Sequence, residues 1–348
     1  MRDSLDGLTM RHGRPNNPRL LAGRVAALLL ALLAAGCTDT LDAGRSMPHG
    51  LLPVDERNPV VLLNDGAYDN WQGEYALLLA NGGGLQLVGI IVVTSPPRPT
   101  IEDNIAGWRG LVAAARASGM RNVPSPRSSV GSALKRPASG DMDETVPNDS
   151  EGAQFIIDAS KTYSLPYRPL VVLTGGPLTA VAEAYLKDHA VVDRVVIVSS
   201  LGTLTASGAA MGAPNGEMDP WADAIVAAKF RYIQVSAFYD QATDVPAERL
   251  TELSDGNAFK AWIAAKQPSI YGLAKAADQV AVAAVGIPSF VLRADRVSPT
   301  GSVAAGATTG PALAQNPTGA GWLVTESAGA AATARFWELL ADPKTFQP

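Results

Sequence analysis

The feature that most constrains the fold is an alternation, from Pro59 onward, of short apolar runs with longer helical stretches. A short, continuous apolar run is typical of a strand that is buried on both faces, whereas apolar spacing of three and four indicates a helix. We predict strands at 60–63, 86–94, 170–173, 191–199 and 232–236, with 289–292 as a further candidate. We predict helices at 104–118, 178–186, 222–230 and 271–285. This order predicts an α/β fold with a mostly parallel central sheet and helices on both faces.

Two stretches interrupt this alternation. Residues 121–153 are rich in Pro, Ser, Gly and charge, and residues 294–321 are rich in Gly, Ala, Thr and Pro. The first is either a long loop or flap near a functional site or a plain surface excursion, and the same two alternatives hold for the second, which we expect to be weakly structured. In open parallel sheets, ligands bind outside the carboxyl ends of the strands, so the loops at that edge are the ones to examine.

Composition excludes two broad classes of protein. Of the 348 residues, 47% are hydrophobic and 18% are charged, so the chain can bury a large core and is not globally disordered. The net charge is −5, whereas a nucleic-acid partner requires a basic face. We therefore predict a folded domain that does not bind nucleic acid.

The single cysteine, Cys37, follows a segment that indicates export. A basic lead that includes Arg19 and Arg24 precedes an apolar run over 25–35, which ends at Gly36-Cys37. A positive region, a short apolar region and a small-residue cleavage site are typical of a secretory signal. The stretch 33–37 resembles a bacterial lipobox, apart from Ala34 where leucine is usual. The alternative is a short anchor helix with an incidental thiol.

The lipobox resemblance implies a division of the chain into three parts. Residues 1–37 would be a lipoprotein signal peptide with Cys37 as the acylation site, 38–58 a flexible tether, and 59–348 a single domain. The protein would then be an exported lipoprotein, held on a membrane of the bacterial cell envelope by its acyl chains.

The loop after the first predicted strand gathers oxygen-bearing side chains. Asn64, Asp65, Asp69 and Asn70 lie within seven residues. Carboxylate and amide oxygens suit a hard cation such as calcium or magnesium. Asp and Asn are also ordinary turn residues, so the loop by itself leaves a metal site and a plain turn as alternatives. Tyr68 and Trp71 could stack on a base or be packing residues.

The same loop resembles the start of the inosine/uridine-preferring nucleoside hydrolases. That family begins with a strand that runs into Asp-Pro-Gly-x-Asp-Asp-Ala. Here Asp65 and Asp69 match the first two aspartates, and Asn70 stands in place of the third. The turn that begins at Thr174 is similar to the family's Thr-Gly-x-Leu-Thr-Asn turn, in which the threonine offers its backbone carbonyl to calcium. The Gly-Asn that follows the family's second strand is absent, and Ser95 begins a Ser-Pro-Pro stretch at that place.

Two later segments continue the resemblance. The segment 213–223 resembles the family's Glu-Phe-Asn-x-x-x-Asp sugar-binding stretch, with Glu217 at the glutamate, Asp219 at the asparagine and Asp223 at the aspartate that opens the next helix. The segment 277–283 is similar to His-Asp-Pro-x-Ala-Val-Ala, in which Asp278 matches the last metal ligand and Ala277 replaces the histidine. The resemblance covers about residues 59–290 and implies a nucleoside-hydrolase-like fold.

The resemblance implies calcium-assisted hydrolysis of the N-glycosidic bond of ribonucleosides by attack of a water molecule. Asp65 would be both a metal ligand and the general base. The implied metal ligands are Asp65, Asn70, Asp278 and the carbonyl of Thr174, with Asp69 beside them. The residues implied to hold the ribose hydroxyls are Asp69, Glu217 and Asp219.

The departures from the family keep other functions open. Asn70 removes one negative charge from the ligand set, which weakens calcium binding, and Ala277 cannot protonate a leaving group. The alternatives are a catalytically degenerate lipoprotein that binds a nucleoside or sugar and an envelope lipoprotein that uses the domain only as a scaffold. Homo-oligomers are compatible with either. A Ser-His-Asp triad would have to use His189, and no G-x-S-x-G motif accompanies it.

Overall fold

The computed structural model of this chain describes residues 48–66, 71–94, 100–129, 132–201, 203–205, 208–210, 215–235, 249, 252, 256–266 and 279–346. These residues all belong to the unit Pro48–Pro348. Cys37 and the predicted site residues Asp69, Asn70 and Asp278 lie outside the described residues. Among the described residues, no helix combines the length and the apolar character that crossing a bilayer requires.

A single mixed sheet of eleven described strands forms the centre of the fold. The strands are β1 (Pro59–Asn64), β2 (Gln86–Val92), β3 (Pro126–Ser128), β4 (Leu170–Gly175), β5 (Val195–Ser199), β6 (Thr203–Thr205), β7 (Gly208–Ala210), β8 (Arg231–Val235), β9 (Val291–Thr300), β10 (Ala312–Gln315) and β11 (Gly321–Ser327). Their order across the sheet is β3-β2-β1-β4-β5-β8-β11-β9-β10-β7-β6. All neighbours from β3 to β11 are parallel, so the predicted mostly parallel sheet is confirmed.

Helices cover both faces of this sheet, as the alternation predicts. The described helices are α1 (Gln72–Asn81), α2 (Ile101–Ala117), α3 (Glu151–Tyr163), α4 (Thr179–Lys187), α5 (Val191–Arg194), α6 (Asn215–Met218), α7 (Pro220–Lys229), α8 (Ala258–Lys266), α9 (Gln279–Gly286) and α10 (Gly329–Ala341). Leu62 of β1 belongs to one apolar cluster with α1, α2, α9 and α10. Leu63, the next residue, belongs to a second cluster with α3, α4 and α7. Because side chains alternate along a strand, the parallel strands are buried on both faces.

Side-chain caps show why several helices begin where they do. The hydroxyl of Thr100 accepts from Asp103 N at the start of α2, and the hydroxyl of Ser150 accepts from Ala153 N at the start of α3. A capping oxygen satisfies one of the amide groups that have no partner in the first turn. The helix α3 is absent from the sequence prediction because it begins inside the stretch whose composition predicts one long loop.

The far side of the sheet corrects the expectation for residues 294–321. We expected weak structure there, but most of β9, all of β10 and the first residue of β11 occupy this stretch. The three strands pair antiparallel, with β9 between β10 and β11. Only two residues of β9 are buried, Val291 and Val297, so the strand lacks the apolar run by which the parallel strands are recognised. Pairing with neighbours, not its own composition, makes this segment a strand.

Two further boundaries differ from the prediction. Leu52 and Val54 are buried in the apolar core, so the packed part of the chain begins before residue 59, whereas the tether between residue 37 and the domain stays a prediction. The predicted strand 191–199 is instead the short helix α5 followed by β5. An apolar run that is continuous in sequence can change from helix to strand, because periodicity does not separate the two over so few residues.

Candidate functional site

Two of the predicted site residues meet at the carboxyl edge of the parallel strands. Asp65 directly follows β1, and Thr174 lies near the end of β4. The register of β1 and β4 pairs Leu63 with Thr174 and Asn64 with Gly175. Asp65 is 3% exposed and Thr174 is fully buried. The sheet therefore brings together two residues that are more than 100 positions apart, as the sequence resemblance implies.

Glycines allow this close approach. A Cβ atom at Gly176 would lie 3.3 Å from Cβ of Asp65 and 2.7 Å from Cγ2 of Val93. A Cβ atom at Gly175 would overlap the amide of Gln72. The Gly-Gly turn after β4 is thus required by close packing against the Asp65 loop on one side and α1 on the other.

One oxygen of the Asp65 carboxylate lacks a donor among the described residues. Its Oδ1 is buried and receives no hydrogen bond from the residues that the structure describes. A buried acceptor normally has a donor, and a carboxylate in this state is costly unless a cation or a bound molecule satisfies it. The position of this atom, at the carboxyl end of a central parallel strand, is where such folds bind ligands.

Asn64 and Gln72 hold the start of the loop on which Asp65 lies. Oδ1 of Asn64 accepts from Gly66 N at 2.8 Å, and Nδ2 of Asn64 donates to Oε1 of Gln72 at 2.6 Å. Both side chains are fully buried. Gln72 is not among the residues predicted from the sequence. The sequence feature that could have identified Gln72 is its amide beside the apolar face of a helix, because a buried amide needs a polar partner.

Thr174 is anchored through both of its oxygens. Its carbonyl accepts from Ser200 N at 2.9 Å, and its hydroxyl donates to Oγ of Ser199 at 2.9 Å. A carbonyl oxygen has two lone pairs, so one remains for a cation. The neighbouring strand β5 therefore sets the orientation of the peptide group that the resemblance implies as a metal ligand.

Two buried amides add further acceptors without donors. Asn104 donates from Nδ2 to the carbonyl of Val93 at 2.6 Å, and its Oδ1 has no partner among the described residues. Gln279, which follows Asp278, donates to Thr333 at 2.6 Å, and its buried Oε1 also has no partner among the described residues. Neither belongs to the predicted site. In the sequence, Asn104 only opens a predicted helix, and Gln279 stands at the family's proline.

The predicted ribose-binding residues of the segment 213–223 have different environments. Glu217 is exposed on α6, whereas Asp219 is buried and caps α7. Asp219 accepts hydrogen bonds from Leu134 N at 2.9 Å, Thr179 Oγ1 at 2.7 Å and Ala222 N at 3.0 Å. Burial raises the pKa of Asp219, against these three hydrogen bonds that lower it. The structure thus gives Asp219 a capping role, and its predicted role with the ribose stays a prediction, as does that of Glu217.

Asp223 is the most isolated acid of the described chain. It is fully buried in α7, and neither carboxylate oxygen has a hydrogen-bond partner among the described residues. Burial, with repulsion from Asp219, raises the pKa of Asp223 well above its usual value. Burial therefore favours the neutral form of this carboxyl group over the charged form.

Residues 132–150 pack against the helices α4 and α7. Glu183, fully buried in α4, accepts from Asn148 N at 3.2 Å and Ser150 N at 3.0 Å. The indole of Trp221 donates to Thr145 at 2.9 Å. Together with the contact between Asp219 and Leu134, these bonds attach the excursion to the helix layer. The stretch runs along the helix layer from Leu134, beside the N-terminus of α7, to Asp143, which contacts Tyr185 and Lys229 near the C-terminal ends of α4 and α7.

Two other candidates that the sequence suggests have packing roles in the structure. Trp71 is buried with a positive φ of 68° and contacts Phe336 edge-on, with 5.1 Å between ring centroids, so it is a packing residue. His189 stacks on Tyr185 at 4.5 Å, at the end of α4. Among the described residues, one group of side chains is close enough to share a metal ion, namely His49, Asp55 and Glu56 before β1. Arg57 already binds Asp55 there, which makes the group an ion-pair network.

Comparison with known proteins identifies the fold. No family model matches the chain, and no curated protein matches its sequence. A purine-preferring ribonucleoside hydrolase from Gardnerella vaginalis has a similar structure, with a TM-score of 0.56 and 18% identity over 83% of this chain and 100% of that one. An inosine-uridine preferring nucleoside hydrolase from Bacillus anthracis gives a TM-score of 0.59 and 16% identity over 83% and 100%.

A third similar structure comes from Saccharophagus degradans. It is a nucleoside hydrolase-related hypothetical protein associated with carbohydrate metabolism, with a TM-score of 0.54 and 15% identity over 84% of this chain and 72% of that one. All three identities are low, so the likeness concerns the fold. The chain has a nucleoside-hydrolase-like fold, as the sequence resemblance implied.

Proposed function

We propose that this protein hydrolyses the N-glycosidic bond of ribonucleosides at the carboxyl edge formed by β1 and β4. The observation that carries the proposal is the buried Oδ1 of Asp65, which has no partner among the described residues. The backbone N and Cβ of the same residue pack against Gly176 of the turn after β4. The nucleoside hydrolases among the structural neighbours support the same activity. An attack on the anomeric carbon requires a positioned water and a base, and Asp65 can serve as that base.

The residues present fit a calcium ion. Asp65 offers a carboxylate oxygen that lacks a donor among the described residues, and the Thr174 carbonyl has a free lone pair. The sequence resemblance adds Asn70 and Asp278, which complete an all-oxygen set of the kind that calcium prefers. When bound, calcium would lower the pKa of a water molecule held beside Asp65. Because Asn70 is neutral, we expect this set to bind calcium weakly.

The chain's own groups then divide the remaining work. Asp65 accepts the proton of the attacking water, and Asp69 and Glu217 hold hydroxyl groups of the ribose. Asp219 has three of its four acceptor positions occupied, so at most one remains for a ribose hydroxyl. Ala277 provides no proton for the departing base, which favours bases that leave readily without one.

A second function has specific support. The replacement of an acidic ligand by Asn70 and of the histidine by Ala277 favours a degenerate protein that binds a nucleoside or sugar without turnover. In either case, the lipobox resemblance around Cys37 supports a site outside the cytoplasm, on a protein that a lipid anchors to the cell envelope.

The test compares the protein with a matched pair of variants. With inosine and uridine as substrates, we expect the wild type to release ribose and its melting temperature to rise in millimolar calcium. Asp65→Asn should reduce the rate by about 100-fold or more, because it removes the base and a ligand charge. Asp295→Asn changes an acid on the antiparallel side and should leave both readouts unchanged. No calcium shift and no ribose release by the wild type would overturn the proposal. Nucleoside binding without release would favour the second function.

A further inference from the structure

A row of polar side chains crosses the sheet beneath the proposed site. The register pairs Thr174 of β4 with Ser199 of β5, and Ser199 with Gln234 of β8. Paired residues of parallel strands point to the same face, which is the face covered by α3, α4 and α7. All three side chains are fully buried. Around them the strands are apolar, so this row is a departure from the pattern of the sheet.

The hydrogen bonds that join this row are all donated in the same order along it. Tyr232 donates from its hydroxyl to Oε1 of Gln234 at 3.2 Å. Burial raises the pKa of Tyr232, and a side-chain hydrogen bond from Ser199 acts against this rise. Thr174 donates to Oγ of Ser199 at 2.9 Å. An amide oxygen can only accept, so Tyr232 must donate to it, and the Tyr232 oxygen is then free to accept from Ser199. The order of donation therefore runs from Thr174 through Ser199 and Tyr232 to Gln234.

Stability alone does not explain such a row. A buried hydroxyl that is hydrogen-bonded adds little net stability, and apolar residues of the same shape would serve equally well in this position. Hydrogen bonds that are all donated in one order along the row do, however, hold each side chain of the row in one rotamer. At Thr174, the first residue of the row, the hydroxyl is hydrogen-bonded to Ser199 and the carbonyl accepts from Ser200 N. Both contacts come from β5 and the residue that follows it, so this strand determines which way the Thr174 peptide faces.

We propose that Ser199 and Tyr232 are positioning residues that orient Thr174, so that its carbonyl presents its free lone pair to a cation at the Asp65 loop. This inference rests on the proposed function, because it assigns a role to groups behind the proposed metal ligand. Neither residue touches the substrate or the cation. Groups that orient a metal ligand in this way change metal affinity by about 10- to 100-fold when they are removed.

The experiment measures calcium affinity calorimetrically on the full chain. Ser199→Ala is expected to weaken calcium binding about tenfold, and Tyr232→Phe to weaken it less, because it removes the next bond along the row. Ser160→Ala is the matched control. Ser160 is another fully buried serine, in α3, which donates to Ile157 O at 2.7 Å and accepts from Arg194 at 3.0 Å. It should lower the melting temperature without changing calcium affinity.

Two further readouts separate positioning from a structural role. In calcium-free protein, the loss of unfolding free energy in the double variant Ser199→Ala/Tyr232→Phe should be smaller than the sum of the two single losses, because both break one row. At saturating calcium, Ser199→Ala should recover the wild-type KM for inosine, and Ser199→Thr, which keeps the hydroxyl, should retain calcium affinity. If Ser199→Ala does not fold, Tyr232→Phe and Ser199→Thr carry the test.

The outcomes distinguish this inference from the proposed function. Wild-type calcium affinity in both Ser199→Ala and Tyr232→Phe would overturn the positioning role and leave the proposed function intact. Equal weakening by Ser160→Ala would overturn it as well, since a general loss of packing would then explain the effect. Absence of calcium binding by the wild type itself would overturn both proposals.

Discussion

The two sides of the sheet bury their residues differently. On the parallel side, β1 and β4 are buried at every position, and helices cover both faces. On the antiparallel side, β9 exposes or half-exposes most of its residues and β10 buries only Leu313. Two buried polar groups that have no donor among the described residues, Asp65 and Asn104, lie at the carboxyl edge of the parallel side. The candidate site therefore lies on the parallel side, whose strands are covered by helices on both faces. The antiparallel side continues the same sheet with strands that are mostly exposed.

The largest difference should appear in core truncations. Leu62→Ala on β1 removes a fully buried side chain, and we expect it to lower the free energy of unfolding by about 3 kcal/mol. Leu292→Ala on β9 changes a side chain that is 51% exposed and should cost below about 0.5 kcal/mol. Denaturant unfolding measures both. Similar losses for the two variants would show that the two halves do not differ in packing as described.

A smaller effect is expected at the Gly-Gly turn. The added methyl group in Gly176→Ala would contact Val93 at 2.7 Å and press on the Asp65 backbone. We expect a loss of about 1 to 3 kcal/mol, with a further loss of calcium affinity because Asp65 moves. The control is Gly301→Ala in the turn after β9, where nothing lies within 4 Å of an added Cβ but φ is 78°. That variant should show backbone strain alone, without any change in calcium affinity.

Buried and exposed glutamines allow a third comparison. Gln72→Ala leaves the buried amide of Asn64 without its acceptor, and we expect a loss of about 1 to 2 kcal/mol. Gln315→Ala removes a hydrogen bond to Asp295 on the antiparallel side, at 2.9 Å and exposed to solvent, and should cost about 0.5 kcal/mol or less. Thermal unfolding of the two variants checks the difference. The hypothesis fails if Gln315 proves to be the more costly position.

Because Asp223 of α7 is buried, we predict that the free energy of unfolding depends on pH. Because the pKa of Asp223 is raised in the folded protein, both states hold the proton at pH values below about 3.8. As the pH rises above that value, the unfolded chain ionises first, so stability falls with rising pH by about 1.4 kcal/mol per unit until the folded pKa is reached. Asp223→Asn should flatten this dependence and stabilise the protein at pH 7, whereas Asp295→Asn should not. Chemical unfolding at pH 4, 5.5 and 7 tests the slope, and an unchanged slope in Asp223→Asn would contradict it.

Sequence reasoning succeeded where a local pattern carries the structural information. The apolar runs that become β1, β2 and β4 are buried on both faces, so their composition alone predicts them, and the Asp65 loop and the Thr174 turn follow from their place after those strands. It did not succeed for β9, whose few buried residues leave little signal. It also missed α3, because this helix begins inside a stretch whose Pro, Ser, Gly and charged composition predicts a loop. Asn104 and Gln279 are not predicted as site residues, since single amides in helices are common.

By itself, the sequence determined the α/β class and the mostly parallel sheet, because these depend on burial patterns along the chain. The convergence of Asp65 and Thr174 was implied by the family resemblance of the segments that contain them. Tertiary structure alone decided that the stretch 294–321 joins the sheet, that Asp219 caps a helix and that Thr174, Ser199 and Tyr232 form one hydrogen-bonded row. The reason is physical. Strand pairing and buried polar contacts join residues that are distant along the chain, and their free energy depends on which partner arrives, which no local window records.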